Sequence, residues 1–108
     1  MNLPDQRAQA TVLRDLHRGQ KMLVLPNAWD CVSARIFEQA GFPAIATTSG
    51  GIAAVLGYPD GQHISSCEML DMVARIAKTV SIPVTADLEA GYGSTPEAVA
   101  EFMRQAMA

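Results

Sequence analysis

Three apolar segments of strand length alternate with helical patterns along this chain, and this alternation restricts the fold more than any other feature. The segments are residues 22–25, 43–47 and 81–86, and each is followed by a proline or a polar residue. Apolar runs without polar alternation are typical of strands covered on both faces of a parallel sheet. Because parallel strands need crossovers, the order predicts an α/β fold with right-handed strand–helix–strand connections.

Helical periodicity fills the segments around the first two strands. Residues 5–18 predict a helix that precedes the first strand and stops at Gly19. Asp30 is placed to cap a second helix that extends to about residue 40. Its inward-facing side chains are expected to be those of Val32, Ile36 and Phe37.

Two further helices are predicted before and after the third strand. Residues 52–56 read as a single helical turn, and Ser65 with Glu68 forms a capping box for a helix to about residue 80. The last helix starts either with Ser94 and Glu97 or with Thr95 and Pro96 at the first helical position.

Composition excludes several functional classes. The 108 residues carry a net charge of −3 and are 49% hydrophobic, which is typical of one globular domain. The eight Lys and Arg residues form no basic cluster, so a nucleic-acid partner is not expected. The apolar runs are far shorter than the roughly 20 residues of a membrane span, so a membrane protein is not expected. The two cysteines show no metal-binding spacing and no disulfide-rich pattern, which favours a cytoplasmic protein with reduced thiols.

Three acidic residues follow the predicted strands. Asp60 lies in the loop region after the second strand, and Asp87 and Glu89 come directly after the third. If the chain stays extended, Asp87 and Glu89 point to the same side. Ligands of parallel α/β proteins bind at this edge, and oxygen ligands without His or Cys suit Mg²⁺ or Mn²⁺.

Structural roles compete with these functional ones. An acid after a strand often caps a helix or closes a turn. Asp87 is the strongest candidate because Ser94 or Thr95 already supplies the next cap, which leaves Asp87 without an obvious structural task. Residues 48–51 are predicted to form a small-residue turn that either binds an anion or is a plain turn, and composition does not separate these alternatives.

Six motifs in order identify a family. They are P-N-A-W-D-C-V-S-A-R at residues 26–35, A-G-F-P-A-I at 40–45, T-T-S-G-G-I-A at 47–53, L-G-Y-P-D at 56–60, S-I-P-V at 81–84 and D-L-E-A-G-Y-G at 87–93. With them, the chain from about residue 23 onward resembles the isocitrate lyase and phosphoenolpyruvate mutase superfamily, particularly its smaller bacterial members.

The resemblance implies a (β/α)8 barrel, of which residues 1–108 would be the N-terminal part with about three β/α units. It implies a Mg²⁺ site, with Asp87 as principal ligand and with Glu89 and Asp60 supporting it directly or through water. Asp60 and Asp87 would be the catalytic residues. The substrate, a 2-oxo acid or enolpyruvate-type molecule, would be bound by Thr48, Ser49, Gly50 and Gly51. The full-length family member is expected to be a homo-oligomer, a dimer or tetramer.

Two departures from the family pattern affect the expected reaction. Many members have Asp where this chain has Glu89, and the longer side chain could move the carboxylate out of direct metal contact. The loop that selects the reaction in this family belongs beyond residue 108, and a complete barrel needs about 250 residues. A carbon–carbon lyase is the first expectation for the reaction, and a phosphonomutase or a hydrolase of the same family is the alternative. An alternative of another class is that the chain is a catalytically silent half-barrel or an interaction module.

Overall fold

Three short parallel strands lie side by side in the computed structural model, which describes residues 3–108. They are β1 (Asn27–Ala28), β2 (Ile45–Thr47) and β3 (Val84–Thr85), arranged in the order β1-β2-β3. Ala46 pairs with Asn27 on one side and with Thr85 on the other, so β2 is the central strand. All three carboxyl ends meet at one edge of the sheet, as the sequence predicts.

Helices connect and cover these strands. They are α1 (Leu3–Arg18), α2 (Cys31–Gln39), α3 (Ser49–Val55), α4 (Ser66–Thr79) and α5 (Pro96–Met107). The predicted N-caps are confirmed for α2 and α4, where Asp30 accepts a hydrogen bond from the Ser33 amide and Ser65 accepts one from the Glu68 amide. The full capping box predicted for α4 is not formed, and the Glu68 carboxylate accepts from the Tyr58 hydroxyl instead. Of the two starts predicted for the last helix, the structure has Thr95 as cap and Pro96 at the first helical position.

The predicted first strand is wrong, because β1 begins only after residues 22–25. The amides that donate to the β1 segment are those of Ala46 and Thr48, and their acceptors are the carbonyls of Pro26 and Ala28. Backbone pairing therefore starts at Pro26, whose carbonyl accepts from the Ala46 amide at 3.0 Å. Met22 and Val24 remain exposed, at 85% and 54% of their possible surface. β2 and β3 are likewise shorter than the predicted strands at 43–47 and 81–86.

The orientation predicted for α2 is also wrong in part. Val32 and Ile36 are exposed, whereas Ser33 and Ala34 are buried and Phe37 is half-buried. Small side chains let the helix approach the sheet closely, so the apolar stripe of Val32 and Ile36 faces away from the described core. Phe37 packs edge-on against Trp29, with ring centroids 6.3 Å apart.

The predicted turn at residues 48–51 is the beginning of a helix. Thr48 is the N-cap of α3, and its hydroxyl accepts from the Gly51 amide at 3.2 Å. Ser49, Gly50 and Gly51 therefore form the first turn of α3, which ends at Val55 and includes most of the helical turn predicted at 52–56.

The core lies between the sheet and the helices that cover it. Buried side chains come from β2, α3, α4 and the segment between the last two, and the largest fully buried ones are Ile45, Ile52, Ile64, Met69 and Ile76. α5 adds Phe102. Within the described residues no helix combines the length and apolar character that a membrane crossing requires.

Candidate active site

Asp87 lies immediately beyond the carboxyl end of β3, where the structure holds it with several hydrogen bonds. Its Oδ2 accepts from the Ser49 hydroxyl at 2.8 Å and from the Ser49 amide at 3.3 Å, and its Oδ1 accepts from the Glu89 amide at 3.0 Å. The Asp87 amide itself donates to the Thr47 hydroxyl at 3.0 Å. The expectation that Asp87 has no structural task is therefore wrong, because its carboxylate joins β2 and β3 beyond their ends.

These hydrogen bonds favour the charged form of Asp87. Partial burial acts to raise the pKa of this carboxyl, but the hydrogen bonds from Glu89 and Ser49 outweigh burial and hold the pKa below its ordinary value. Asp87 is thus an ionised carboxylate at neutral pH, in an orientation fixed from two sides.

Ser49 and Thr48 bring the start of α3 to the same place. Ser49 is buried and donates its hydroxyl to Asp87, whereas the Thr48 hydroxyl caps α3 through the Gly51 amide. A β-carbon on Gly51 would lie 2.6 Å from Thr48 Cγ2 and 2.9 Å from Trp29 Cβ. Glycine at position 51 is therefore explained by close packing against Thr48 and Trp29.

Asp60 reaches this site from the loop between α3 and α4. A β-carbon on Gly50 would lie 3.2 Å from Asp60 Oδ2, so the carboxylate lies directly against the first turn of α3. Its other oxygen, Oδ1, accepts from the Gly61 amide at 3.0 Å. The structure thus brings Asp60 to Gly50, one residue away from the serine that binds Asp87.

Glu89 connects the loop after β3 with the Asp60 loop. Its Oε1 accepts from the Gly61 amide at 3.2 Å and its Oε2 accepts from the Tyr92 hydroxyl at 3.2 Å. The prediction that Asp87 and Glu89 share a side of an extended chain is wrong, since Glu89 adopts a left-handed conformation with φ of 53°. Its carboxylate reaches the site region through its own side-chain length and not through strand alternation.

Gly91 and Gly93 allow the loop after β3 to pack closely against α5. A β-carbon added to Gly91 would lie 2.8 Å from Val99 Cγ1, and a β-carbon added to Gly93 would lie 2.8 Å from the Val99 amide nitrogen. Gly91 is buried. This glycine pair therefore does not leave backbone open to a ligand, because the backbone there lies against α5.

The donor chemistry of the site fits a hard divalent cation. Asp87, Glu89 and Asp60 supply only oxygen, and Mg²⁺ takes one or two carboxylates while keeping water or substrate oxygens in its other positions. Within residues 3–108 no three His, Cys, Asp or Glu side chains are close enough to form a complete metal cage. These residues therefore suit a cation that keeps water or substrate oxygens in most of its positions.

Three further side chains take part in the site without having been predicted from the sequence: those of Thr47, Gln62 and Tyr92. The Gln62 Oε1 accepts from the Tyr92 amide at 3.1 Å. Burial, the hydrogen bond to Glu89 and the nearby charges of Glu89, Asp87 and Asp60 raise the pKa of Tyr92 to about 12. Tyrosine between two glycines at 91–93 is the one sequence signal that could have indicated it.

The known proteins that are similar to this chain agree with one another on its family. The family model of phosphoenolpyruvate phosphomutase matches residues 13–108. An uncharacterised Mycobacterium tuberculosis protein is 38% identical over 91 residues, which are 84% of this chain and 35% of that protein. The 2,3-dimethylmalate lyase of Eubacterium barkeri is 34% identical over 79% of this chain and 30% of its own length. The chain thus spans about a third of the curated relatives it matches.

Solved structures agree with the fold. A Burkholderia cenocepacia J2315 protein regarded as a lyase or mutase superposes with a TM-score of 0.89 and 42% identity, over 94% of this chain and 36% of that one. A phosphoenolpyruvate phosphomutase from Streptomyces platensis superposes with a TM-score of 0.83 and 31% identity, over 90% of this chain and 33% of that one. These TIM-barrel relatives confirm the (β/α)8 type, of which the described residues form about three β/α units. The chain belongs to the phosphoenolpyruvate phosphomutase family, within the isocitrate lyase and phosphoenolpyruvate mutase superfamily.

Proposed function

We propose that this protein is a Mg²⁺-dependent carbon–carbon lyase acting on a 2-oxo acid or a 2-hydroxy dicarboxylate through an enolate. Mn²⁺ would replace Mg²⁺ at the same oxygen ligands. Asp87 would be the principal ligand, and Glu89 and Asp60 would support the cation directly or through water. In this proposal the catalytic residues are Asp87 and Asp60.

One observation carries the proposal. The Asp87 carboxylate is ionised and is held by Ser49 and Glu89 at the carboxyl ends of parallel strands. Fixed carboxylates at this edge are where barrel enzymes of this type place their chemistry. Because two strand ends hold Asp87, it keeps its orientation without reorganising when a ligand arrives.

The chemistry needs negative charge to be stabilised on oxygen. In cleavage of a 2-hydroxy dicarboxylate, the hydroxyl loses a proton to a base and becomes a carbonyl, and the electron pair of the broken bond stays on the other product as an enolate. A bound divalent cation would supply positive charge to the substrate oxygens at this site. Asp87 would hold that charge in place, and the first turn of α3, residues 48–51, would bind the substrate carboxylate.

Within this turn the four residues have different tasks. Thr48 keeps the turn helical, Ser49 fixes Asp87, and the absence of a side chain at Gly50 leaves room for Asp60. Gly51 keeps the backbone of the turn close to Trp29. Substrate specificity would then depend on the space above Gly50 and Asp60.

The relatives also support a second candidate, a phosphonomutase or an oxaloacetate-type hydrolase. An oxaloacetate acetylhydrolase superposes with a TM-score of 0.81 and 31% identity, close to the values of the phosphomutase. Both reactions use a 2-oxo or enol acid and would need the same ionised Asp87. We also propose that the full-length protein is a homo-oligomer, a dimer or a tetramer, as the resemblance implies.

The test uses purified protein with Asp87→Ala and Asp87→Asn. We expect Mn²⁺ binding, measured by electron paramagnetic resonance, and turnover of 2-hydroxy dicarboxylates to 2-oxo acids to fall together, turnover by about 100-fold or more. Asp71→Asn is the matched control, because Asp71 is an exposed acid paired with Arg75 on α4.

The products separate the candidates. Formation of a 2-oxo acid and a second carboxylic acid from a 2-hydroxy dicarboxylate supports the lyase, whereas release of acetate from oxaloacetate or rearrangement of phosphoenolpyruvate supports the alternative. Near-normal Mn²⁺ binding by Asp87→Ala, with the fold intact by circular dichroism, would exclude Asp87 as principal ligand.

A further inference from the structure

We infer that Tyr92 is a positioning residue that holds the Asp60 loop in place through Glu89. Tyr92 lies in the loop after β3 and Asp60 lies in the loop between α3 and α4, so the two are far apart along the chain. The link between them passes through one side chain, that of Glu89, and one backbone amide, that of Gly61.

The first part of this link is a chain of hydrogen bonds. The Tyr92 hydroxyl donates to Glu89 Oε2 at 3.2 Å, and Glu89 Oε1 accepts from the Gly61 amide at 3.2 Å. The Gly61 amide also donates to Asp60 Oδ1 at 3.0 Å. Because one N–H is shared between two carboxylates, the position of Glu89 affects the position of Asp60.

A second hydrogen bond joins the same two loops. The Tyr92 amide donates to Gln62 Oε1 at 3.1 Å, so Tyr92 contacts the Asp60 loop through its backbone and, by way of Glu89, through its hydroxyl. Gln62, Glu89 and Tyr92 have positive φ of 63°, 53° and 54°, and they are the non-glycine residues with positive φ within the described chain. Surrounding contacts are needed to hold ordinary residues in this conformation.

The ring of Tyr92 gives the link a rigid base. It packs against Phe102 of α5 with centroids 5.1 Å apart, and Phe102 is only 4% exposed. Tyr92 also lies against the main hydrophobic core. The loops therefore take their position from the packed interior, by way of a phenol that the core holds fixed.

Glu89 is long enough to make this connection. Its two oxygens serve two partners on different loops, which a carboxylate one methylene shorter on the same backbone could not reach in the same arrangement. In that reading Glu89 orients the site, and Tyr92 orients Glu89.

The test is Tyr92→Phe, which keeps the ring packing and removes only the hydroxyl. This inference rests on the proposed function insofar as Asp60 supports a cation, so the first measurement is made on metal-free protein. Amide hydrogen exchange of Gly61, followed by NMR, should accelerate about fivefold, because one hydrogen-bond acceptor loses its anchor. Mn²⁺ affinity should fall by a similar factor of about five.

The chain supplies a matched control and a second variant. Thr79→Val removes a hydroxyl that donates to the Arg75 carbonyl within α4, outside both loops, and it should leave both readouts unchanged. Gln62→Ala removes the second hydrogen bond between the loops without touching the ring, and it should accelerate Gly61 exchange as well.

Each outcome decides the inference. Faster Gly61 exchange together with weaker Mn²⁺ binding, at unchanged thermal unfolding temperature, supports the positioning role. Unchanged Gly61 exchange in Tyr92→Phe overturns it, and so does faster exchange with unaltered Mn²⁺ affinity. Failure of the proposed function is seen separately, as retained Mn²⁺ binding in Asp87→Ala.

Discussion

The hydroxyl of Ser49 donates a hydrogen bond to Oδ2 of Asp87 at 2.8 Å, across a sequence separation of 38 residues. Ser49 opens α3 after β2, and Asp87 follows β3, so this contact joins the ends of two neighbouring parallel strands. A buried serine thereby helps to set both the direction and the charge state of Asp87, the proposed principal metal ligand.

Ser49→Ala should raise the pKa of Asp87 toward its ordinary value, because the alanine removes one of the hydrogen bonds that stabilise the carboxylate. A lowered folded-state pKa contributes stability above the unfolded-state pKa, and this stability is lost as pH falls through the folded-state pKa. The variant should therefore lose about 1 kcal/mol of unfolding free energy at neutral pH and less in acid.

Carboxyl-carbon NMR titration measures the pKa of Asp87 directly. Ser94→Ala is the control, since Ser94 is an exposed serine that the structure does not use as a helix cap. An Asp87 titration curve that is identical in Ser49→Ala and wild-type protein would contradict the proposed effect of the serine.

Gly50→Ala should weaken divalent-cation binding while leaving the fold intact. The added methyl group would lie 3.2 Å from Asp60 Oδ2 and 3.4 Å from its Cγ, so the carboxylate must move by a few tenths of an ångström. Because glycine in a helix is less favourable than alanine by roughly 1 kcal/mol, stability should not fall by more than about 0.5 kcal/mol. Mn²⁺ titration and denaturant unfolding give the two readouts.

Gly19→Ala is the matched control for Gly50→Ala. A β-carbon on Gly19 would meet only backbone oxygens at 3.7 and 3.8 Å, which is ordinary contact. Unaltered Mn²⁺ affinity in Gly50→Ala would show that the position of Asp60 does not matter for the cation.

Gly93→Ala should destabilise the protein by about 2 kcal/mol, because overpacking against backbone cannot be relieved by a side-chain rotation. The new β-carbon would lie 2.8 Å from the Val99 amide nitrogen and 2.8 Å from Ala98 Cβ, both in α5. Urea unfolding measures the change. A loss below about 0.5 kcal/mol would mean that α5 shifts away at little cost.

Glu38 should give the fold a stability that disappears in acid. Its Oε2 accepts from the Ser81 amide at 2.7 Å and from the Ser81 hydroxyl at 2.8 Å, and these bonds lower its pKa below the ordinary 4.5. The contribution is complete above the unfolded-state pKa and is lost as pH falls through the lower folded-state pKa. Wild-type and Glu38→Gln proteins should therefore differ in thermal unfolding temperature at pH 7 and converge below the folded-state pKa.

The matched control for this pH dependence is Glu101→Gln. Glu101 is an exposed acid whose partner, Arg104, lies one turn along the same helix. Such surface pairs contribute little to stability, so its pH profile should stay close to that of wild type. An unfolding profile of Glu38→Gln parallel to that of wild type throughout would refute the assignment.

The amino-acid sequence by itself determined the order of elements and most helix starts. Each predicted N-cap accepts a hydrogen bond from the amide three residues further along the chain, so the signal for it is local. These caps are Asp30, Ser65 and Thr95. The alternation of apolar runs and helical stripes predicted the parallel sheet, and the positions of Asp60 and Asp87 after the strands indicated the edge where the candidate site lies. These features depend on neighbours along the chain, which a sequence displays.

Tertiary structure alone decided what packs across the chain. Backbone pairing between β1 and β2 begins only at Pro26, beyond the predicted first strand, and the fit of α2 against the sheet left Ile36 outside. Ser49 and Gly61, which donate to Asp87 and Glu89, lie 38 and 28 residues away from them, and no local pattern encodes these two contacts. A side chain's orientation and charge state follow from such contacts, because burial and hydrogen bonding depend on what lies nearby in space and not on what precedes it in the chain.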